Sequence, residues 1–178
     1  EGQDLLCSPV RTLAEALAWT RASGLAVNVE IKDMLGGDDQ GLVHAVAGLI
    51  RAANLDGRVL VSSFRQKSLE LFRELCSEVP VGLLLDEKAL AASTQAIVAR
   101  LRSLEAVAVH PSLKGLFPGR IASFAEAGFE TNVYTVNREE DMLWLVREGA
   151  AGIITDFPAR AKAVLEACKQ EEKSTTSP

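Results

Sequence analysis

In Asn28-Val29-Glu30-Ile31-Lys32 an acid and a base stand two residues apart. The segment continues the apolar run Leu25-Ala26-Val27, and its β-branched residues suit a pleated, half-buried strand. Side chains alternate faces along a strand, so Asn28, Glu30 and Lys32 share one face, with Val29 and Ile31 on the other. Burying an acid and a base at a strand end is costly unless they pair or bind something. These five residues alone leave two readings open, a salt-bridged strand end and a site.

The elements that would position this pair alternate regularly. Thr12-Leu13-Ala14-Glu15 has the form of a capping box and opens a helix to about Ala22, with Gly24 suited to its end. After the first strand, strands are expected over Arg58–Phe64, Val81–Leu85, Ala106–Val109, Glu130–Val136 and Gly152–Thr155. Helices are expected over Gln40–Ala53, Gln66–Ser77, Ala89–Leu101, Gly119–Glu126 and Arg138–Arg147, with a last one opening at Pro158. Strand–helix alternation with nearly continuous apolar strands means a parallel sheet covered by helices. Every one of these strands ends in polar residues: Glu30 and Lys32, Ser62 and Ser63, Asp86, His110, Thr135 and Asn137, Thr155 and Asp156. In an α/β barrel that end carries the active site.

A doubly wound sheet would normally carry a glycine-rich phosphate loop after its first strand, and neither common form of that loop is present. The reading is therefore a TIM-type (β/α) barrel. A complete one has eight units and about 250 residues, so this chain is about two units short. Residues 1–168 are taken as one partial barrel domain, and the polar stretch 169–178 as a disordered tail.

The 178 residues carry a net charge of −5, which argues against broad nucleic-acid binding. No apolar run approaches the roughly 18 residues of a membrane span. Cys7, Cys76 and Cys168 are odd in number and widely spaced, and read as free thiols of a reducing compartment, which points to the cytoplasm.

Five segments carry a resemblance: Asn28-Val29-Glu30-Ile31-Lys32, Val61-Ser62-Ser63-Phe64, Gly82-Leu83-Leu84-Leu85-Asp86, Val133-Tyr134-Thr135-Val136-Asn137 and Ile153-Ile154-Thr155-Asp156-Phe157-Pro158. In this order the chain resembles the glycerophosphodiester phosphodiesterase family, most closely its bacterial cytoplasmic members. The resemblance implies an eight-stranded barrel of which these are strands three to eight. It implies metal-dependent hydrolysis of small glycerophosphodiesters, such as glycerophosphocholine, to glycerol 3-phosphate and an alcohol. It also implies a divalent cation, Mg²⁺ or Ca²⁺. Glu30 matches a metal-binding carboxylate and Lys32 a basic residue facing the substrate phosphate. Phe64 and Tyr134 match positions lining the glycerol pocket, and Asn137 matches the polar end of a late strand and is taken as substrate-binding. Asn28, Ser63 and His110 are further pocket candidates. Oxygen ligands suit a hard cation and its phosphoryl chemistry.

The family's two acid–base histidines, in a His-Arg-Gly and a His-Asp motif, have no match. The chain's histidines are His44 and His110, neither at those positions. The chain alone is expected to be inactive. Because it opens at Glu1 and not at Met, a missing N-terminal segment is expected, and the open sheet would pair with that segment or with another copy. The alternative is a non-catalytic module that binds a phosphodiester or a partner. An isomerase or aldolase with a late phosphate site fits less well, because no glycine-rich loop follows the last two strands.

Overall fold

The computed structural model describes residues 10–32, 39–55 and 57–175. Its order is α1 (Leu13–Ser23), β1 (Val27–Glu30), α2 (Asp39–Ala53), β2 (Val59–Ser63), α3 (Gln66–Leu75), β3 (Val81–Leu85) and α4 (Glu87–Leu90). Then follow α5 (Thr94–Ser103), β4 (Ala108–Pro111), α6 (Arg120–Glu126), β5 (Glu130–Val133), α7 (Glu139–Arg147), β6 (Gly152–Ile153) and α8 (Pro158–Thr175). The six strands lie in sequence order in one sheet and every neighbouring pair is parallel. This is the expected incomplete TIM-type barrel, with helices on one side of the sheet.

Local chemistry sets the boundaries. Thr12 and Glu15 form the reciprocal capping box of α1, and Gly24 closes it in the left-handed conformation with φ 72°. The single helix expected over Ala89–Leu101 is instead two, because Asp86 and Ser93 each cap a separate N-terminus, accepting from Ala89 N–H and Ala96 N–H. The last helix runs to Thr175, so the polar stretch from Lys169 begins as helix.

Strand faces follow the two-residue period. Val29 and Ile31 of the first unit, Val61, then Val81, Leu83 and Leu85, and Val109 enter the main core against the helices, with Leu69, Phe72, Ile97 and Phe124. A smaller cluster, including Val133, Met142, Leu145 and Val164, packs α7 and α8 on the far end. The alternate residues, Asn28 and Glu30 on β1, Gly82 and Leu84 on β3, His110 on β4 and Asn132 on β5, therefore face the other side of the sheet.

Candidate functional site

Glu30 and Lys32 meet. Lys32 Nζ lies 2.7 Å from Glu30 Oε1, with the lysine 73% exposed and the glutamate 28%. The ion pair stands where β1 ends. Phe64 follows β2, Asp86 follows β3 and Tyr134 follows β5, so parallel strands deliver all of them to the same pole.

Phe64 and Tyr134 show how far the sheet curls. β3 and β4 lie between their strands, and flat strands spaced about 4.8 Å apart would hold them roughly 14 Å apart. Their ring centroids are 5.8 Å apart at an interplanar angle of 89°, an edge-to-face pair. The sheet is a trough, and both rings reach inward across it. Tyr134 donates its hydroxyl proton to Leu85 O at 3.0 Å. Burial, followed by the charges of Asp86 and Glu30, pushes the phenol up to about 12. Lys32, Glu30, Asp86, Phe64 and Tyr134 thus form a polar and aromatic corner at the C-terminal mouth.

Toward the opposite ends of the strands the trough holds an open cavity of about 420 Å³, lined in part by Asn28, Leu60, His110, Asn132 and Ile154. His110 is placed inside β4 and not at its end, because this strand runs Ala108–Pro111, two residues later than expected. Its Nε2 lies 3.3 Å from Asn132 Nδ2. The imidazole is 1% exposed. Burial, partly offset by the Glu30 charge, lowers its pKa to about 4, so it is a neutral ring at pH 7. Asn132 went unnoticed in the sequence, although its inward parity beside His110 follows from the β4–β5 register. His44 sits exposed on α2, bonded to Gln40 O at 2.8 Å, away from this chemistry.

Glycines make the room. A Cβ on Gly82 would come within 2.7 Å of His110 Nε2, and one on Gly152 within 2.4 Å of the Asn132 Oδ1. Gly82→Ala is expected to destabilise the fold by about 1–2 kcal/mol, because the packed imidazole must shift. Gly48→Ala on α2, with nothing within 4 Å of its Cβ, is expected to be neutral or stabilising. Urea midpoints of the two variants check the contrast.

Two candidates face elsewhere. Ser63 donates to Ile31 O at 2.9 Å and accepts from Arg65 N–H at 3.1 Å, so its hydroxyl stitches β2 to β1 on the helix side. Asn137 joins the ends of β5 and β6: its Nδ2 donates to Asp156 Oδ2 at 2.8 Å, and its Oδ1 accepts from Thr155 Oγ1 and Asp156 N–H. Among the described residues no three His, Cys, Asp or Glu side chains stand together as a cation site. The described residues therefore do not by themselves fit a closed divalent site around Glu30.

A parallel βα trough with its charged and aromatic residues at the strand C-termini defines an α/β-barrel protein with a candidate pocket at that mouth. The match is to the glycerophosphoryl diester phosphodiesterase family over residues 2–160, and the chain belongs to this family. It is 28% identical over 160 residues to a glycerophosphodiester phosphodiesterase of Caldanaerobacter subterraneus, covering 88% of this chain and 62% of the relative. A glycerophosphodiester phosphodiesterase of Bacillus altitudinis is 29% identical, covering 84% and 60%. The chain thus spans about three fifths of the length of these relatives. Among solved structures, an Oleispira antarctica phosphodiesterase in complex with the product sn-glycerol-3-phosphate superposes with a TM-score of 0.78 at 22% identity, covering 87% of this chain and 61% of that one. A glycerophosphodiester phosphodiesterase of Parabacteroides distasonis gives 0.75 at 20%, covering 89% and 65%. These structural likenesses bear on the fold.

Proposed function

We propose that this chain supplies the phosphate- and glycerol-facing wall of a phosphodiesterase pocket, for hydrolysis of glycerophosphodiesters to glycerol 3-phosphate and an alcohol. The carrying observation is the corner itself: an exposed lysine ammonium and a carboxylate beside an edge-to-face aromatic pair, at the active pole of a family barrel. Lys32 would offset the charge of a phosphodiester. Phe64 and Tyr134 would cover the carbon face of the glycerol. The divalent cation, Mg²⁺ or Ca²⁺, draws only Glu30 from the described residues, and its further ligands would come from outside them. Acid–base groups matching the family histidines would likewise lie outside this sequence. Asn137, being latched to Asp156, would shape the mouth and not touch substrate. The two edge strands, β1 and β6, support pairing with a further segment or a second copy.

Among the described residues no helix is long and apolar enough to cross a membrane. Cys76 and Cys168 are free thiols, which supports the cytoplasmic expectation.

The test has two parts. Incubated with glycerophosphocholine and Mg²⁺ or Ca²⁺, the chain alone is expected to release no glycerol 3-phosphate; release would contradict the assignment of acid–base groups elsewhere. Calorimetric titration with sn-glycerol 3-phosphate is expected to give binding that Lys32→Met weakens at least about tenfold, the lower end for a lost charge-assisted contact. Binding untouched by Lys32→Met would remove the lysine from the pocket. A second reading is a module that binds a phosphodiester without cleaving it, supported by the corner residues Lys32, Phe64 and Tyr134.

A further inference from the structure

The corner's cation is engaged by the corner's own anion. Lys32 lies two residues beyond β1 with most of its side chain in water, yet its ammonium is drawn back to 2.7 Å from Glu30. Glu30 is the less exposed partner, at the end of β1 in register with Ser62. Among the described residues no group of three His, Cys, Asp or Glu side chains gathers around Glu30 as a cation site. The ammonium is therefore the cation that this stretch supplies to Glu30.

We propose that the Glu30–Lys32 pair is an autoinhibitory contact, in which Glu30 competes with phosphate for the Lys32 ammonium, so that phosphate binds more tightly once the carboxylate is neutralised. The proposal rests on the reading of this corner as a phosphate site. An anion arriving at the free protein must displace Glu30 from Lys32 and then lie beside its negative charge. Both effects oppose binding. Any event that removes the Glu30 charge releases the lysine and removes the repulsion together. By linkage, phosphate at Lys32 must equally favour whatever neutralises Glu30. This arrangement weakens the corner's hold on free phosphate and strengthens it once Glu30 is neutralised.

The consequence runs against the usual effect of mutating a site residue. In EDTA, Glu30→Gln is expected to bind sn-glycerol 3-phosphate about fivefold more tightly than the unaltered protein, the upper end for a solvent-exposed ion pair. The gain is expected to vanish in the Glu30→Gln/Lys32→Met double variant. Calorimetric titration reads both, circular dichroism checks folding, and Glu30→Ser provides a second charge-free variant. Inorganic phosphate, titrated alongside, should show the same gain, because the contact acts on the anion and not on the glycerol. Equal or weaker binding by both charge-free variants would overturn the contact, as would a gain that survives loss of Lys32. Binding by the unaltered protein with Mg²⁺, combined with none by Glu30→Gln in EDTA, would overturn the contact and leave the phosphate site standing. No binding by any variant under any condition would sink both.

Discussion

Between pH 7 and pH 4 the folded state is expected to lose about 3 kcal/mol of stability through His110 alone. The imidazole is shut away in the trough wall, over Gly82 and beside Asn132. Burial lowers its pKa from 6.5 to about 4, against a smaller opposing pull from the Glu30 carboxylate. The sign follows from proton uptake. The unfolded chain takes up the proton as pH falls through 6.5, whereas the folded chain resists until about 4. Stability from this residue is therefore complete above about pH 6.5, drains away below it and levels off below about pH 4. Carboxylates titrate in the lower part of the same window, so the useful quantity is the difference between the unaltered protein and His110→Gln. Urea unfolding at pH 7, 5.5 and 4.2 should give a gap that narrows or reverses as pH falls, because glutamine has no proton to take. A gap constant across the three values would mean that His110 is not buried as a neutral ring. The chain has two histidines, so ring resonances can be followed individually. The His110 ring should stay neutral well below pH 6.

The sheet was legible because its signals are local and repeated. Apolar strands punctuated by polar ends require only the side-chain alternation of a strand and the exclusion of charge from a core. Parity alone set Glu30 and Lys32 on one face and left a salt bridge and a site as open readings; the structure shows the pair. What escaped depends on register between strands or on which way a strand end turns. Ser63 and Ser62 are adjacent and chemically identical, so the two-residue period decides which meets the helices, and the anchor for that period is Val61 in the core. Placing β4 at Ala106–Val109 made His110 a strand-end residue at the mouth. The actual span Ala108–Pro111 draws it into the wall, and even the proline contributes, its carbonyl accepting from Tyr134 N–H at 3.1 Å. Gly82 and Gly152 explain that burial only once the neighbouring strands are in register, since each supplies the space that a side chain on the next strand occupies. The approach of Phe64 to Tyr134 is equally invisible in the chain, being a product of sheet curvature.

Asn137→Ala is expected to cost about 2–3 kcal/mol of stability, and this outcome separates a latch from a ligand-binding residue. The carboxamide makes three hydrogen bonds, donating to the Asp156 carboxylate and accepting from Thr155 Oγ1 and Asp156 N–H. Its main-chain carbonyl accepts from Arg160 at 2.7 Å, and that guanidinium lies 4.4 Å over the Phe157 ring. The ladder pairs between β5 and β6 are few, only Asn132 with Gly152 and Val133 with Ile153, so beyond them the Asn137 side-chain bonds share the connection with the Val136 N–H bond to Ile154 O. Each neutral bond contributes about 1 kcal/mol, and the one to a carboxylate somewhat more. Removing the carboxamide leaves Thr155, Asp156 and the start of α8 to be held by Val136 N–H to Ile154 O and by the small α7–α8 core. Asn137→Asp should be nearly as costly, because it keeps the acceptor and sets a second carboxylate against Asp156. Thermal unfolding of the two variants, with sn-glycerol 3-phosphate titrations on each, provides the decision. A latch predicts a lower midpoint of unfolding with little change in affinity measured well below it. An affinity loss of tenfold or more at unchanged stability would return Asn137 to the pocket.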